Sequence, residues 1–168
     1  MIRDPKHDAA HELIARGIII RDGVVLVNHS RNAKSGMEYY ALPGGHVDAG
    51  ESCVAALRRE LAEEIGCDVT VGELRFVSES LYPGRHTDDG QRHELVLYFQ
   101  ATLRGTWREQ DGKVESPEPD KDFRWLNLVE LPGANLLPQS VKKFLLSDAA
   151  HHHASSESPS YVFSDDTH

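Results

Sequence analysis

Three carboxylates stand close together in one short segment, Arg59-Glu60-Leu61-Ala62-Glu63-Glu64. On a helix, positions i, i+3 and i+4 fall within roughly a 100° sector at about 100° per residue, so Glu60, Glu63 and Glu64 would project from one side. Like charges at this spacing repel and weaken the helix. A bound divalent cation removes that penalty, and hard cations such as Mg²⁺ take oxygen ligands, commonly one or two carboxylates with phosphate and water. A solvated acidic face has the same spacing, so spacing alone leaves both readings open. Glu64 falls roughly 20° from the line of Leu57, so the cluster borders the apolar stripe rather than lying opposite it.

The neighbouring residues narrow the choice. Upstream runs Leu42-Pro43-Gly44-Gly45-His46-Val47-Asp48-Ala49-Gly50-Glu51. Glycines let the backbone approach an ion or a phosphate closely. Glu51 and Arg59 would pair across two helical turns if this loop folds back, bracing it over the carboxylates as metal sites require of their supporting groups. The helix itself is predicted over Glu51–Ile65, with Val54, Leu57, Leu61 and Ile65 on one face and Gly66 as its stop.

Other elements must hold this helix in place. Leu13–Ile20 and Val24–Asn28 are β-branched runs around Arg21-Asp22-Gly23, and Asp-Gly is a strong hairpin signal. His29–Glu38 reads as a loop, and Tyr39–Leu42 as a short strand that stops at Pro43-Gly44-Gly45. Val69–Val71, Leu74–Ser80, Glu94–Leu103 and Phe123–Leu128 read as strands. Pro83–Arg92 and the charged Gly105–Lys121 read as loops, and loops of the second's length are often functional. Pro138 opens a last helix to about Leu146. The order predicts an α+β fold with α/β/α layers, one domain over 1–147, and a polar, Ser-rich disordered tail over 148–168.

Bulk properties set outer bounds. The 168 residues suit one domain with a real core. A net charge of −9 argues against nucleic-acid binding and against adhesion to anionic membranes, but not against a small anionic substrate bound through a cation. No apolar run approaches the roughly 20 residues of a membrane span, and the N-terminus lacks the apolar core of a secretion signal. Cys53 and Cys67 would lie roughly 20 Å apart along the helix, too far for a disulfide. Reduced cysteines and no leader predict a cytoplasmic protein, and a homodimer is the commonest assembly for such a chain.

Gly45-x5-Glu51-x7-Arg59-Glu60-Leu61-x-Glu63-Glu64-x-Gly66-Cys67 resembles the Nudix box, G-x5-E-x7-R-E-U-x-E-E-x-G-U with U bulky and aliphatic. Seven fixed residues match in spacing, which by chance is on the order of 10⁻⁸ per window. Cys67 departs from the final aliphatic position but can keep its packing role. The resemblance implies a Nudix fold, a mixed β-sheet between helices with a loop–helix–loop catalytic motif. It implies Glu60, Glu63 and Glu64 as metal-binding or catalytic carboxylates, the Gly44 carbonyl as a further ligand, and Glu51 and Arg59 as supports.

In some members of that family the residue matching Glu60 is base-like, and in others a carboxylate from a later loop activates water. Glu115, Glu118 and Asp122 are the candidates here, with Glu118 favoured, and Glu94 would line the site or bond the backbone. The implied activity is Mg²⁺-dependent (or Mn²⁺-dependent) hydrolysis of the phosphoanhydride in a nucleoside diphosphate linked to another group, with ADP-ribose favoured and a nucleoside monophosphate released. The alternatives are a nucleoside triphosphate pyrophosphohydrolase and, in another class, a nucleotide-sensing domain that does not cut. Tyr39 and Tyr40 would stack on the substrate or pack in the core. Gly45 and Arg31 are further substrate-binding candidates, with Arg16, Arg85 and Arg92 as other possible phosphate or base contacts.

Overall fold

The computed structural model describes residues 10–83, 91–150 and 160–165. Its strands are β1 (Ala10–Ile18), β2 (Ile20–Arg21), β3 (Val24–Arg31), β4 (Glu38–Ala41) and β5 (Gly44–His46) before helix α1 (Cys53–Ile65). Then follow β6 (Asp68–Pro83), β7 (Gln91–Arg104), β8 (Glu109–Gln110), β9 (Lys113–Val114) and β10 (Phe123–Asn127). A 3-10 turn at Leu131–Gly133, helix α2 (Gln139–Ala150) and β11 (Ser160–Asp165) complete the order.

The strands form two sheets. One is mixed, in the order β11-β6-β7-β1-β5, with β1 parallel to β7 and β11 parallel to β6. The other runs β2-β3-β10-β9-β8, with β4 also on β3. Side-chain alternation along the strands of the mixed sheet feeds two cores. Ala15, Phe99, Ala101 and Leu103 face Leu57, Leu61 and Ile65 of α1. Ile14, Ile18, Val96 and Tyr98 face Val141 and Leu145 of α2. A sheet between two helices is thus the predicted layering, with the second sheet closing the ends of both cores through Leu26 on one side and Val25 and Val27 on the other.

The predicted Asp-Gly hairpin is present between β2 and β3, with Asp22 and Gly23 both at positive φ. Four expectations need correction. Gly44-Gly45-His46 is a strand paired with β1, not the end of one. Val69–Val71 and Leu74–Ser80 belong to one strand, interrupted only by register shifts between Val71 and Phe76. The long polar segment 105–121 is not all loop, because Asp111-Gly112 turns a second small hairpin, β8–β9. Finally, Ser160–Asp165 of the expected disordered tail forms a strand that pairs with β6. The Pro83–Arg92 loop falls largely outside the described residues, as do Arg85 and the three histidines from 151. No helix among the described residues is long and apolar enough to cross a membrane.

Candidate active site

Helix α1 carries the carboxylates, and local chemistry fixes both of its ends. Ser52 is the N-cap, its hydroxyl accepting the Ala55 amide at 3.2 Å, which stabilises a helix start by about 1 kcal/mol. Gly66 closes the helix in the left-handed region, donating its amide to Ala62 O at 3.0 Å. Leu57, Leu61 and Ile65 bury the apolar stripe, which turns Glu64 inward with them.

Glu64 is 2% exposed. Its Oε2 accepts the Gly44 amide at 2.9 Å and its Oε1 accepts the Lys121 ammonium at 2.8 Å. Burial pushes its carboxyl above the ordinary range, while the bonds from Lys121 and Gly44 pull the other way. Gly44 explains why this strand reads Gly-Gly. At φ 121°, any Cβ on Gly44 would collide with the Ala15 carbonyl of the neighbouring strand. A Cβ on Gly45 would collide with the carboxylate of Glu60, so the backbone here is a cradle for that side chain.

Arg59 is the hub of the exposed side. It donates to Glu51 Oε1 at 2.7 Å, to Glu60 Oε1 at 2.8 Å and to the His46 carbonyl at 3.1 Å, with Glu63 at 3.4 Å. Glu51 in turn accepts the Asp48 amide at 2.9 Å. The Glu51–Arg59 brace expected from the spacing is therefore formed. Arg59 holds the Glu51 carboxyl below its ordinary value, and Glu51 and Glu60 push the guanidinium up. Glu63 is 52% exposed and turned to Arg59. Among the described residues no three acidic, histidine or cysteine side chains converge as a ready-made cage.

The segment after β9 is latched to the helix end. Ser116 donates its hydroxyl to the Glu64 carbonyl at 2.6 Å and accepts the Glu118 amide at 3.1 Å. This places Lys121 on Glu64, with Glu118 Oε2 3.9 Å from the same ammonium. Of the three loop acids, only Glu118 is brought to the carboxylates in this way. Glu115 is exposed and pairs with Arg108 at 3.7 Å. Asp122 is engaged by Arg124, His29 and Lys113. Lys121 escaped the sequence reading. Its signal is that it is the one basic residue in the acid-rich run 114–123.

A cleft of about 950 Å³ lies on the α2 side of the mixed sheet, lined among others by Arg16, Tyr39, Glu94, Tyr98 and Phe144. Its volume is that of a small-molecule site. Backbone links it to the carboxylates: Arg16 of its lining bonds the Leu42 carbonyl, and two residues on the Gly44 amide bonds Glu64. The Tyr98 hydroxyl is buried here without a protein hydrogen bond, and burial raises its pKa. Glu94 accepts the Tyr82 hydroxyl at 3.0 Å. Tyr39 thus stands at the cleft, whereas Tyr40 packs on the core and on the His29 ring at 5.2 Å. Arg31 is turned back on its own loop, donating to the Gly36 carbonyl at 3.0 Å. Arg92 is paired with Glu12.

The chain is similar to a known family over most of its length. Residues 11–146 match the family model described as the NUDIX domain. The chain is 42% identical over 128 residues to a putative 8-oxo-dGTP diphosphatase 2 of Mycobacterium tuberculosis, covering 76% of this chain and 82% of that protein. It is 31% identical over 117 residues to an ADP-ribose pyrophosphatase of Methanocaldococcus jannaschii, covering 69% of this chain and 62% of the relative. It spans 41% of the length of two other curated relatives. A crystal structure of the MutT protein from Bacillus halodurans has the same fold at TM-score 0.64 and 17% identity, covering 93% of this chain and 90% of that one.

Proposed function

This chain belongs to the NUDIX family as a Nudix-type pyrophosphohydrolase, and on that premise we propose that it cuts the phosphoanhydride of a nucleotide using a divalent cation held at Glu60 and Glu64. The observation that carries the reading is the pair of α1 carboxylates set against Gly44-Gly45, one buried and one cradled. Nudix hydrolases generally use divalent metals, and two features suit this site to one. A cation, the Lys121 ammonium, already stands on Glu64, and the absent Cβ of Gly45 leaves room for Glu60. Hard carboxylate oxygens favour Mg²⁺, with Mn²⁺ as a substitute. Glu60, Glu63, Glu64 and the Gly44 carbonyl are the proposed donors. Such an ion neutralises phosphate charge and makes a bound water more acidic.

This chain's own groups would then divide the work. Arg59 and Glu51 hold the helix and the preceding loop in register. Glu118 is the acid proposed to take the proton of the attacking water. The nucleoside enters the cleft, where Glu94 and Arg16 offer polar contacts and Tyr39 an aromatic wall.

For the substrate, the 42% identity over most of both chains favours a nucleoside triphosphate split to a monophosphate and pyrophosphate. An ADP-ribose-type nucleoside diphosphate sugar is the second reading, supported by the 31% relative. A turnover panel of nucleoside triphosphates, oxidised purine triphosphates, ADP-ribose and other nucleoside diphosphate sugars with Mg²⁺ separates them by product. Pyrophosphate from triphosphates supports the first, and AMP with ribose phosphate supports the second. Tight nucleotide binding with no product from any member would show instead a sensing domain.

A further inference from the structure

Lys121 is not part of the Nudix box, yet it makes the closest charge contact to the most buried carboxylate of the site. Both oxygens of Glu64 are taken, Oε2 by the Gly44 amide and Oε1 by the Lys121 ammonium. The amide belongs to a strand paired in register with β1, so it is fixed. The lysine comes from a connecting segment and has a flexible four-carbon stem. It is 32% exposed, with Glu118 on its other side at 3.9 Å. Of the two partners of Glu64, only Lys121 can leave without breaking a sheet. A divalent ion and an ammonium cannot both take the same carboxylate oxygen at close range without strong repulsion.

We propose that Lys121 is the built-in counter-ion of the carboxylate site and must leave Glu64 Oε1 when a divalent cation binds there. It thereby stabilises the metal-free protein and sets the metal concentration at which the site fills. The inference rests on the metal-binding reading given above. Its logic is charge compensation. An ionised carboxylate only 2% exposed is strongly destabilised unless a positive partner stands beside it. Lys121 supplies one in the absence of metal, and the metal supplies a stronger one when present. The released ammonium remains close to Glu118, which can receive it.

The test is Mn²⁺ binding to the full chain without substrate, read by the loss of the free-ion paramagnetic resonance signal and by calorimetry. Lys121→Met is expected to bind Mn²⁺ about tenfold tighter than the wild type, because no like charge has to move. Its melting temperature in EDTA is expected to fall, and Mn²⁺ to raise it by more than in the wild type. Lys121→Arg, which keeps the charge, is expected to bind Mn²⁺ near the wild-type affinity. In the wild type, saturating Mg²⁺ is expected to increase acylation of Lys121 by an amine-reactive reagent, read by mass spectrometry. This measurement remains available if the Met variant does not fold. Saturable Mn²⁺ binding that Lys121→Met leaves unchanged or weakens overturns the role of Lys121 alone, as does Lys121 acylation that Mg²⁺ does not increase. No saturable binding by the wild type overturns the metal reading and this inference together.

Discussion

Glu64 and Asp122 are both acids held by cations from the segment 113–124, yet their surroundings oppose each other. Asp122 Oδ2 accepts from Arg124 at 2.6 Å and lies 3.2 Å from His29 Nδ1, while Oδ1 faces Lys113 at 3.2 Å as an ion pair without hydrogen-bond alignment. Arg124 leads in holding its carboxyl well below the usual range. Glu64 is buried, its carboxyl is raised by desolvation, and a single lysine balances its charge. The contrast shows two uses of a carboxylate. One with several cations around it is a structural knot, with no reason to seek another ligand. One buried beside a second acid, with one exchangeable partner, is poised to hold an incoming cation.

Substitution of the two acids themselves should separate them most. Glu64→Gln and Glu60→Gln are expected to lower kcat by about 10³-fold or more with the fold intact, whereas Asp122→Asn should stay within about threefold, since only the first two would hold the ion. Steady-state turnover with circular dichroism as a fold check decides it, and near wild-type rates in Glu64→Gln would sink the assignment. A smaller effect is expected from Gly45→Ala, which moves Glu60 without touching Asp122. The added methyl must displace the Glu60 carboxylate, so Mn²⁺ binding should weaken by roughly 10-fold at an overpacking cost of about 1–3 kcal/mol. Unchanged metal affinity in that variant would mean that Glu60 is not a donor.

What the sequence displayed, and what it hid, follows from the range of the interactions. The spacing of Leu57, Leu61 and Ile65, the Gly66 stop and the Glu51–Arg59 brace all lie within one helix and its flanking loop, where period and reach can be counted. Lys121 reaches Glu64 across 57 positions, and that meeting depends on how β9, β10 and Ser116 place a connecting segment. The β8–β9 hairpin has the same Asp-Gly signal as β2–β3, but its strands are two residues long and only Val114 is buried, so no alternation marks them. The last strand was hidden for a related reason. It is an edge strand in a polar tail, and Tyr161, Val162 and Phe163 remain exposed. Tyr39 and Tyr40, adjacent in sequence, point to different tasks because successive residues of a strand face opposite ways, which spacing foretells without saying which side is the cleft.

The smallest expected effect separates the two acids by the sign of their pH dependence. Asp122 has a lowered carboxyl, so its contribution is fully present above the ordinary carboxylate range and is lost as the pH falls toward its depressed value. Asp122→Asn should therefore lower the melting temperature at neutral pH by roughly 2–4 °C, about 1 kcal/mol for a partly exposed charge cluster, and the gap should close on acidification. Glu64 has a raised carboxyl, so its charged form costs stability once the pH climbs through the raised value. In EDTA, Glu64→Gln should gain on the wild type as the pH rises from the ordinary carboxylate range through the raised value, whatever its starting offset. Melting curves across that range measure both slopes. If the two variants drift from the wild type in the same direction as the pH rises, the Lys121 ammonium compensates Glu64 as fully as Arg124 compensates Asp122, and the distinction between an exchangeable and a permanent partner fails.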